Sequence, residues 1–363
     1  MYTGIMVKVL SVLQKEEEFL KLKTDGGAGR AILYLHCFPP VSEGEFVKVN
    51  TTAQSLDLGT GGWDFVTSTR HENYTVQGKG HIMKARYSPF QHSVFSIDDP
   101  EHPDHDIFEQ PFSLHQAPVL LAELHSMLPV LLGAVSLHRP DFRIGVILSD
   151  ESSLAAGLSD HMNEWKRKET IDVVTVGQAF GGTAEAVTLI NAMQWLITKR
   201  NADLLIISMG PGTVGTGTRF GFSGMALAEW ANIAGALDGM PVWIPRLSFS
   251  EKRQRHYGLS HHTITPLCYF TYAFSTLILP RLDKEKAWTL KEQARPLLKA
   301  DHVELLYQET EQWFLSWQEH YKNREAEIFS MGTLIDNDPE FIQGILAPLI
   351  FSVKKQEERH HGI

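Results

Sequence analysis

From about residue 113 onward, apolar runs of strand length return at intervals, and each empties into a loop followed by a helical pattern. The runs are 119–124, 143–149, 171–176, 204–208 and 242–247, with a further one at 276–279 that stops at Pro280. Between them, residues 183–199 place Ala186, Ile190, Met193 and Ile197 on one helical face, and the stretch after Ser223 does the same with Ala226, Trp230, Ile233 and Leu237. Strands that alternate with one-sided helices predict an α/β fold: a mostly parallel sheet with flanking helices, Rossmann-like in its layering.

The flanking sequence reads differently. Residues 1–112 are β-rich, with short runs at 6–13, 31–35 and 45–49 separated by Gly and Pro turns, which predicts a small barrel-like domain. Its end, 98–111, concentrates acid, histidine and proline and is the natural linker. The α/β domain then spans 113–282, and residues 283–363 form a helical C-terminal extension docked by Trp288, Trp313 and Trp317, with a polar, frayed tail from 354.

A formal net charge of -10 argues against broad binding to nucleic acid or anionic membrane, both of which reward excess lysine and arginine. Cys37 and Cys268 are too few for a disulfide framework. The first residues lack the basic start and long apolar core of a signal peptide, so a cytoplasmic location is expected. Glu123, His125 and Pro129 break the one stretch, 117–135, that resembles a membrane span. Oligomeric state is not readable, and a homo-oligomer stays open.

Loops leaving the carboxyl ends of parallel strands share one edge, where ligands bind. Four such loops follow the runs: 149–153, 177–185, 210–224 and 246–263. The third, GPGTVGTGTRFGFSG, packs five glycines between Gly210 and Gly221 after a strand and before a helix whose expected N-cap is Ser223. Glycines let backbone N–H groups turn inward and a helix start carries partial positive charge, so such a loop suits an anion. Residues 210–215 formally satisfy G-x-G-x-x-G, yet the loop runs on and the next strand ends in Arg246 rather than an acidic ribose ligand. The P-loop frame fails too, with Thr216 where the phosphate-binding lysine belongs, and Met225 spoils a G-x-S-x-G elbow.

The second loop supplies Gln178, Gly181 and Gly182, with Glu185 expected in the first turn of the following helix. The fourth supplies Arg253, Arg255, His256, His261 and His262. Arginine pairs bidentately with phosphate or carboxylate, and imidazole titrates near neutrality. Adjacent His261 and His262 should diverge, so at most one is expected to face a given ligand; a metal would need partners such as Asp150, His125 or His81, and ranks below a hydrogen-bonding role.

Taken together, LGTGGWDFV, GHIMKARYSPFQ, LHSML, GQAFGGTAEAV, MGPGTVGTGTRFGFSG, RQRHYGLSHHT and SMGTLIDNDPEF resemble, in this order, a bacterial domain-of-unknown-function family (number 3866) over roughly 44–348. The resemblance implies placement rather than mechanism. Because it spans the β-rich part, it implies that His81, Lys84 and Arg86 complete the site from across a domain boundary. This chain carries Thr333 where the family pattern has a basic residue after the late MG, which weakens any C-terminal contribution.

The resulting expectation is an enzyme for a small anionic, phosphorylated or nucleotide-like molecule, with the cofactor unknown. Gly210, Gly212, Thr213, Gly215, Thr216, Gly217, Thr218, Gln178, Gly181, Gly182, Arg253, Arg255, His81, Lys84 and Arg86 would bind it; His256, His261, His262 and Asp150 would carry acid–base chemistry. A non-catalytic sensor or scaffold is the alternative, and an NAD(P)-dependent oxidoreductase a weaker one.

Overall fold

Alternation builds the N-terminal strands. In β1 (Gly4–Lys15), Val7 and Val9 are buried while Met6, Lys8 and Leu10 between and beside them are exposed, the period-2 pattern of a sheet with one covered face. The structure is a computed structural model that describes residues 1–58, 61–70, 73–322 and 327–360, and it separates into two units, Met1–Phe95 and Ser96–Ile363. In the first unit β2 (Phe19–Thr24), β3 (Arg30–Tyr34), β4 (Phe46–Asn50), α1 (Thr52–Ser55) and β5 (Asp64–Ser68) follow. The strands close into a barrel in the order β1-β2-β3-β5-β4 around Val7, Leu20, Leu22, Leu33, Val47 and Val49. A hairpin of β6 (Ile82–Lys84) and β7 (His92–Val94) completes the unit. Two residues of the LGTGGWDFV segment, Gly59 and Thr60, lie outside the described residues.

The second unit is the α/β body. In chain order it comprises β8 (Pro118–Ala122), α2 (Leu128–His138), β9 (Ile144–Asp150), α3 (Asp160–Trp165), β10 (Ile171–Gly177), β11 (Ala184–Glu185), α4 (Leu189–Thr198), β12 (Leu204–Ser208), α5 (Ala226–Ala236) and β13 (Met240–Trp243). A small antiparallel pair, β14 (Leu247–Ser248) and β15 (Gly258–Leu259), leads to α6 (His261–Tyr269) and β16 (Ser275–Pro280). Then come α7 (Lys284–Gln293), β17 (Val303–Gln308), α8 (Glu311–Tyr321), a short pair β18 (Phe329–Ser330) and β19 (Thr333–Leu334), and α9 (Pro339–His360).

Eight of these strands form one parallel sheet in the order β11-β10-β9-β12-β8-β13-β16-β17. Both its faces are covered, which explains the near-continuous apolar runs. Leu120, Val146, Leu148, Leu204 and Ile206 point into a core with α2 and α9, while Val119, Leu121, Ile147, Leu205 and Ile207 point into one with α4 and α5. Each such leucine or isoleucine contributes about 1.5–3 kcal/mol by leaving water.

Two local expectations are corrected. The helix expected over 183–199 begins at Leu189, where Thr188 caps it by accepting from Asn191 N–H; Ala184 and Glu185 instead pair with β10. Glu185 therefore serves no helix dipole, and its Oε1 accepts from Gly181 N–H at 2.7 Å. The C-terminal stretch is helical except for β17, whose short VELLYQ run extends the sheet beside β16, and the β18–β19 pair, and the tail from 354 continues α9 to His360 rather than fraying at once. Residues 98–111 belong to the second unit, where Asp104 accepts from Trp195 Nε1 at 2.8 Å and Asp98 from Asn191 Nδ2 at 2.7 Å.

Candidate functional site

The order of the strands selects one place on the sheet edge. Strands β12 and β13 follow each other in the chain but lie on opposite sides of β8, so the connections diverge and leave a crevice at the carboxyl end of β8. Three chain segments emerge there: Glu123 directly after β8, the glycine loop after β12, and Arg246 shortly after β13.

Glu123 is 2% exposed. Its Oε1 accepts from Arg246 Nη1 at 2.8 Å and meets His262 Nδ1 at 2.6 Å. Burial opposes its ionisation, but the His262 hydrogen bond and the Arg246 charge outweigh that and hold the carboxyl below its ordinary range. Arg246 Nη1 also lies 2.9 Å from His262 Nδ1, so carboxylate, guanidinium and imidazole meet at one point. Gly224 permits this packing: a Cβ there would stand 3.0 Å from Glu123 Cδ.

His262 is also clamped from the side. Phe222, at the end of the glycine loop, stacks on its ring with centroids 3.6 Å apart and planes 6° from parallel. Ser260 caps α6 by accepting from His262 N–H at 3.1 Å, and its Oγ meets His256 Nδ1 at 2.7 Å. Arg255 Nε donates to His256 Nε2 at 3.3 Å, which makes Nε2 the acceptor and Nδ1 the N–H that Ser260 receives. His261 completes the group, with ring centroids 5.2 Å from His256 and 4.5 Å from His262. The expectation that His261 and His262 diverge is thus corrected. At the first turn of α6 each Cα–Cβ bond leans toward the helix start, so both rings project over its end.

Two of the imidazoles are held well below their ordinary range. His256 is pushed down to about 3 by burial and then by Arg246, His262, Arg253 and His261; His261 is pushed down to about 4 by burial, His262 and Arg255. Among the described residues, the buried atoms His261 Nε2 and Glu123 Oε2 have no hydrogen-bond partner. Beside His256 and Arg246 a small cavity is lined also by Glu251, Thr333 and Asp338, which brings the late MGT segment next to the cluster.

The glycine loop folds back on itself. Thr216 N–H donates to Gly221 O at 2.8 Å, Thr216 and Thr218 hydroxyls meet at 2.9 Å, and Gly215 bridges Phe222. Ser223 does not cap a helix through its side chain; its Oγ accepts from Val214 N–H at 3.1 Å and so closes the loop. Gly212 and Gly217 take φ of +98° and +77°, and Arg255 Nη1 donates to Gly217 O at 3.0 Å, tying loop to cluster. Thr213 lies in the same exposed turn.

Asp150, at the end of β9, accepts from Gly210 N–H at 2.9 Å and Ser152 N–H at 2.8 Å, anchoring the root of the glycine loop. Gly210 is needed for that approach, since a Cβ would fall 2.8 Å from Asp150 Oδ2 and 2.0 Å from Leu154 Cδ2. Gln178 N–H donates to Asp150 O at 3.2 Å, and Gly182 N–H donates to Thr175 Oγ1 at 3.1 Å. With Gly181 bound to Glu185, the 177–185 loop is organised mainly around β10. Arg253 forms a two-pronged pair with Glu251, at 3.1 and 2.6 Å. His125 meets Ser159 Oγ at 2.8 Å. His81, Lys84 and Arg86 belong to the first unit, where Lys84 is 1% exposed.

Sequence reasoning missed Glu123 and Phe222 as members of the cluster. A carboxylate at the carboxyl end of an otherwise apolar strand was the available signal for Glu123; nothing local marks Phe222.

The model of one family, described as "Protein of unknown function (DUF3866)", matches residues 30–348. No curated protein matches. Among solved structures, the chain is similar to an LAO/AO transport system kinase at 12% identity and a TM-score of 0.30, covering 73% of this chain and 76% of that one. It is similar also to FtsY from Mycoplasma mycoides at 11% identity and a TM-score of 0.26, covering 64% and 68%.

Proposed function

Because the chain belongs to the DUF3866 family, whose description assigns no activity, its chemistry has to be argued from the site, and we propose that it is an enzyme acting on a small anionic, phosphorylated or nucleotide-like molecule. The observation that carries this reading is the field at the cluster. Besides burial, guanidinium groups and neighbouring imidazoles push His256 and His261 down to about 3 and 4. Burial is the larger cause of these shifts; the smaller part contributed by Arg246, Arg253 and Arg255 is the part that favours an anion. The start of α6, which carries His261 and His262, adds partial positive charge of the same sense.

Arg255 and the N–H groups of the 212–218 turn other than those of Val214 and Thr216, which are bonded within the loop, would hold the anion, and Asp150 would hold the loop. Arg253 is already paired with Glu251, which leaves Arg255 the better ligand contact. An anion beside His256 and His261 would raise their pKa values toward neutrality, where an imidazole both gives and takes protons.

Thermal shift of the purified chain with phosphate, pyrophosphate and AMP tests this. Ligand at a hundredfold excess over Kd should stabilise by about 2.7 kcal/mol. Gly215→Asp should abolish the shift without lowering the ligand-free melting temperature, since a Cβ there meets nothing nearer than Phe222 Cβ at 3.7 Å. No shift with any of the three anions, or an undiminished shift in the variant, would overturn the reading.

A further inference from the structure

We infer that His256, His261 and His262 form a binding site for a divalent transition cation of the zinc class, with Glu123 as the carboxylate that orients His262. One ring nitrogen from each histidine lies within 4.8 Å of the other two. Tetrahedral ligation at Zn–N of about 2.0–2.1 Å needs nitrogens about 3.4 Å apart, so the rings close by about 1.4 Å at most. Rotation about side-chain torsions supplies a movement of that size without moving α6.

Contacts to the other ring nitrogens favour this. Glu123 Oε1 meets His262 at Nδ1, the carboxylate–histidine arrangement found behind metal-ligating imidazoles, which leaves Nε2 for the metal. Ser260 does the same for His256, taking Nδ1–H and leaving Nε2. The third imidazole has a buried Nε2 with no partner among the described residues, and so does the Glu123 Oε2. A buried polar atom left unpaired is costly, and a cation at the cluster would relieve that cost at His261. Three imidazoles and an open fourth position are the ligand set of a catalytic rather than a structural site.

One group competes. Arg255 Nε donates to the same His256 Nε2 that would ligate the metal. Arg255 is exposed, so its side chain can swing outward, and its charge then weakens rather than forbids the metal. A dication held by neutral imidazoles would also leave the pocket strongly positive, suited to an anion on the open position.

The full-length chain, stripped with EDTA and titrated with Co²⁺ in anion-poor buffer, provides the test. The expected result is one equivalent bound with visible ligand-field bands, displaced by Zn²⁺. His261→Ala should lose affinity by more than the roughly 10–100-fold typical of removing an outer-shell partner, while the control His320→Ala, at an exposed helix position, should bind as the parent does. Arg255→Gln should bind Co²⁺ more tightly, an effect that no purely structural role for the cluster produces. Circular dichroism establishes that each variant is folded. Absence of Co²⁺ bands in the parent, equal binding by folded His261→Ala, or no tightening in Arg255→Gln would overturn the inference. The metal is the sole probe, so failure of the anion reading leaves this result untouched, and the converse holds.

Discussion

Removing Arg246 would leave the Glu123 carboxylate, 2% exposed, with His262 as its one remaining charged or polar contact in the Glu123–Arg246–His262 group. Breaking a buried ion pair from one side costs about 3–5 kcal/mol because the other charge stays buried, whereas replacing both partners by apolar groups is often neutral. Arg246→Met should therefore lower stability in urea by about 3–5 kcal/mol, and Glu123→Leu combined with it should recover most of that loss. Additive losses in the double variant would show that the two groups do not act as a pair. The same residues show where sequence reading stopped. Glu123 was visible as an interruption of an apolar run, but the partners that explain it lie 123 and 139 residues further along. No local pattern carries that information. His256, by contrast, was legible as a titratable group at a strand end, because a histidine beside arginines advertises its own chemistry.

At the scale of elements, uniform apolar runs were read well and boundaries set by side-chain bonds were not. The strand at Leu204–Ser208 matches its expected run, since five buried residues ending at a glycine loop admit little else. The start of α4 was misplaced because Thr188 caps it while Ala184 and Glu185 are recruited by β10, a tertiary choice that outweighs helical periodicity. The segment between β14 and β15 offers a prediction of its own. Glu251 is lowered to about 2, first by hydrogen bonds from Arg253 and against the opposing effect of burial. A carboxylate depressed in the folded state stabilises above its unfolded pKa of about 4.3, and that stabilisation fades as pH falls toward 2. Arg253 is 45% exposed, so solvent screening limits the pair to about 1 kcal/mol or less. Arg253→Met should then be slightly less stable than the parent at pH 6, with the gap closing between pH 4.5 and pH 2 in urea melts. A gap independent of pH would assign the loss to packing of the arginine stem instead.

At the scale of the whole molecule, the division of the chain bears on where the site is assembled. The barrel core draws all its residues from the first unit, and both cores of the sheet draw theirs from the second. Glu123, the glycine loop, Arg246, Arg255 and the three histidines all lie within Ser96–Ile363. No helix among the described residues is long and apolar enough to cross a membrane. Each unit therefore has what independent folding requires, a core closed within itself. A fragment of residues 96–363 should unfold cooperatively by circular dichroism and bind Co²⁺ with the stoichiometry of the full chain. Anion binding by the same fragment then separates two assemblies of the site. If phosphate or pyrophosphate shifts its melting temperature as much as that of the full chain, the second unit holds the anion by itself, and His81, Lys84 and Arg86 have another task. If the fragment folds and binds Co²⁺ but loses the anion shift, the second unit does not hold the anion by itself. A fragment that fails to fold would show instead that the sheet depends on the barrel for its stability.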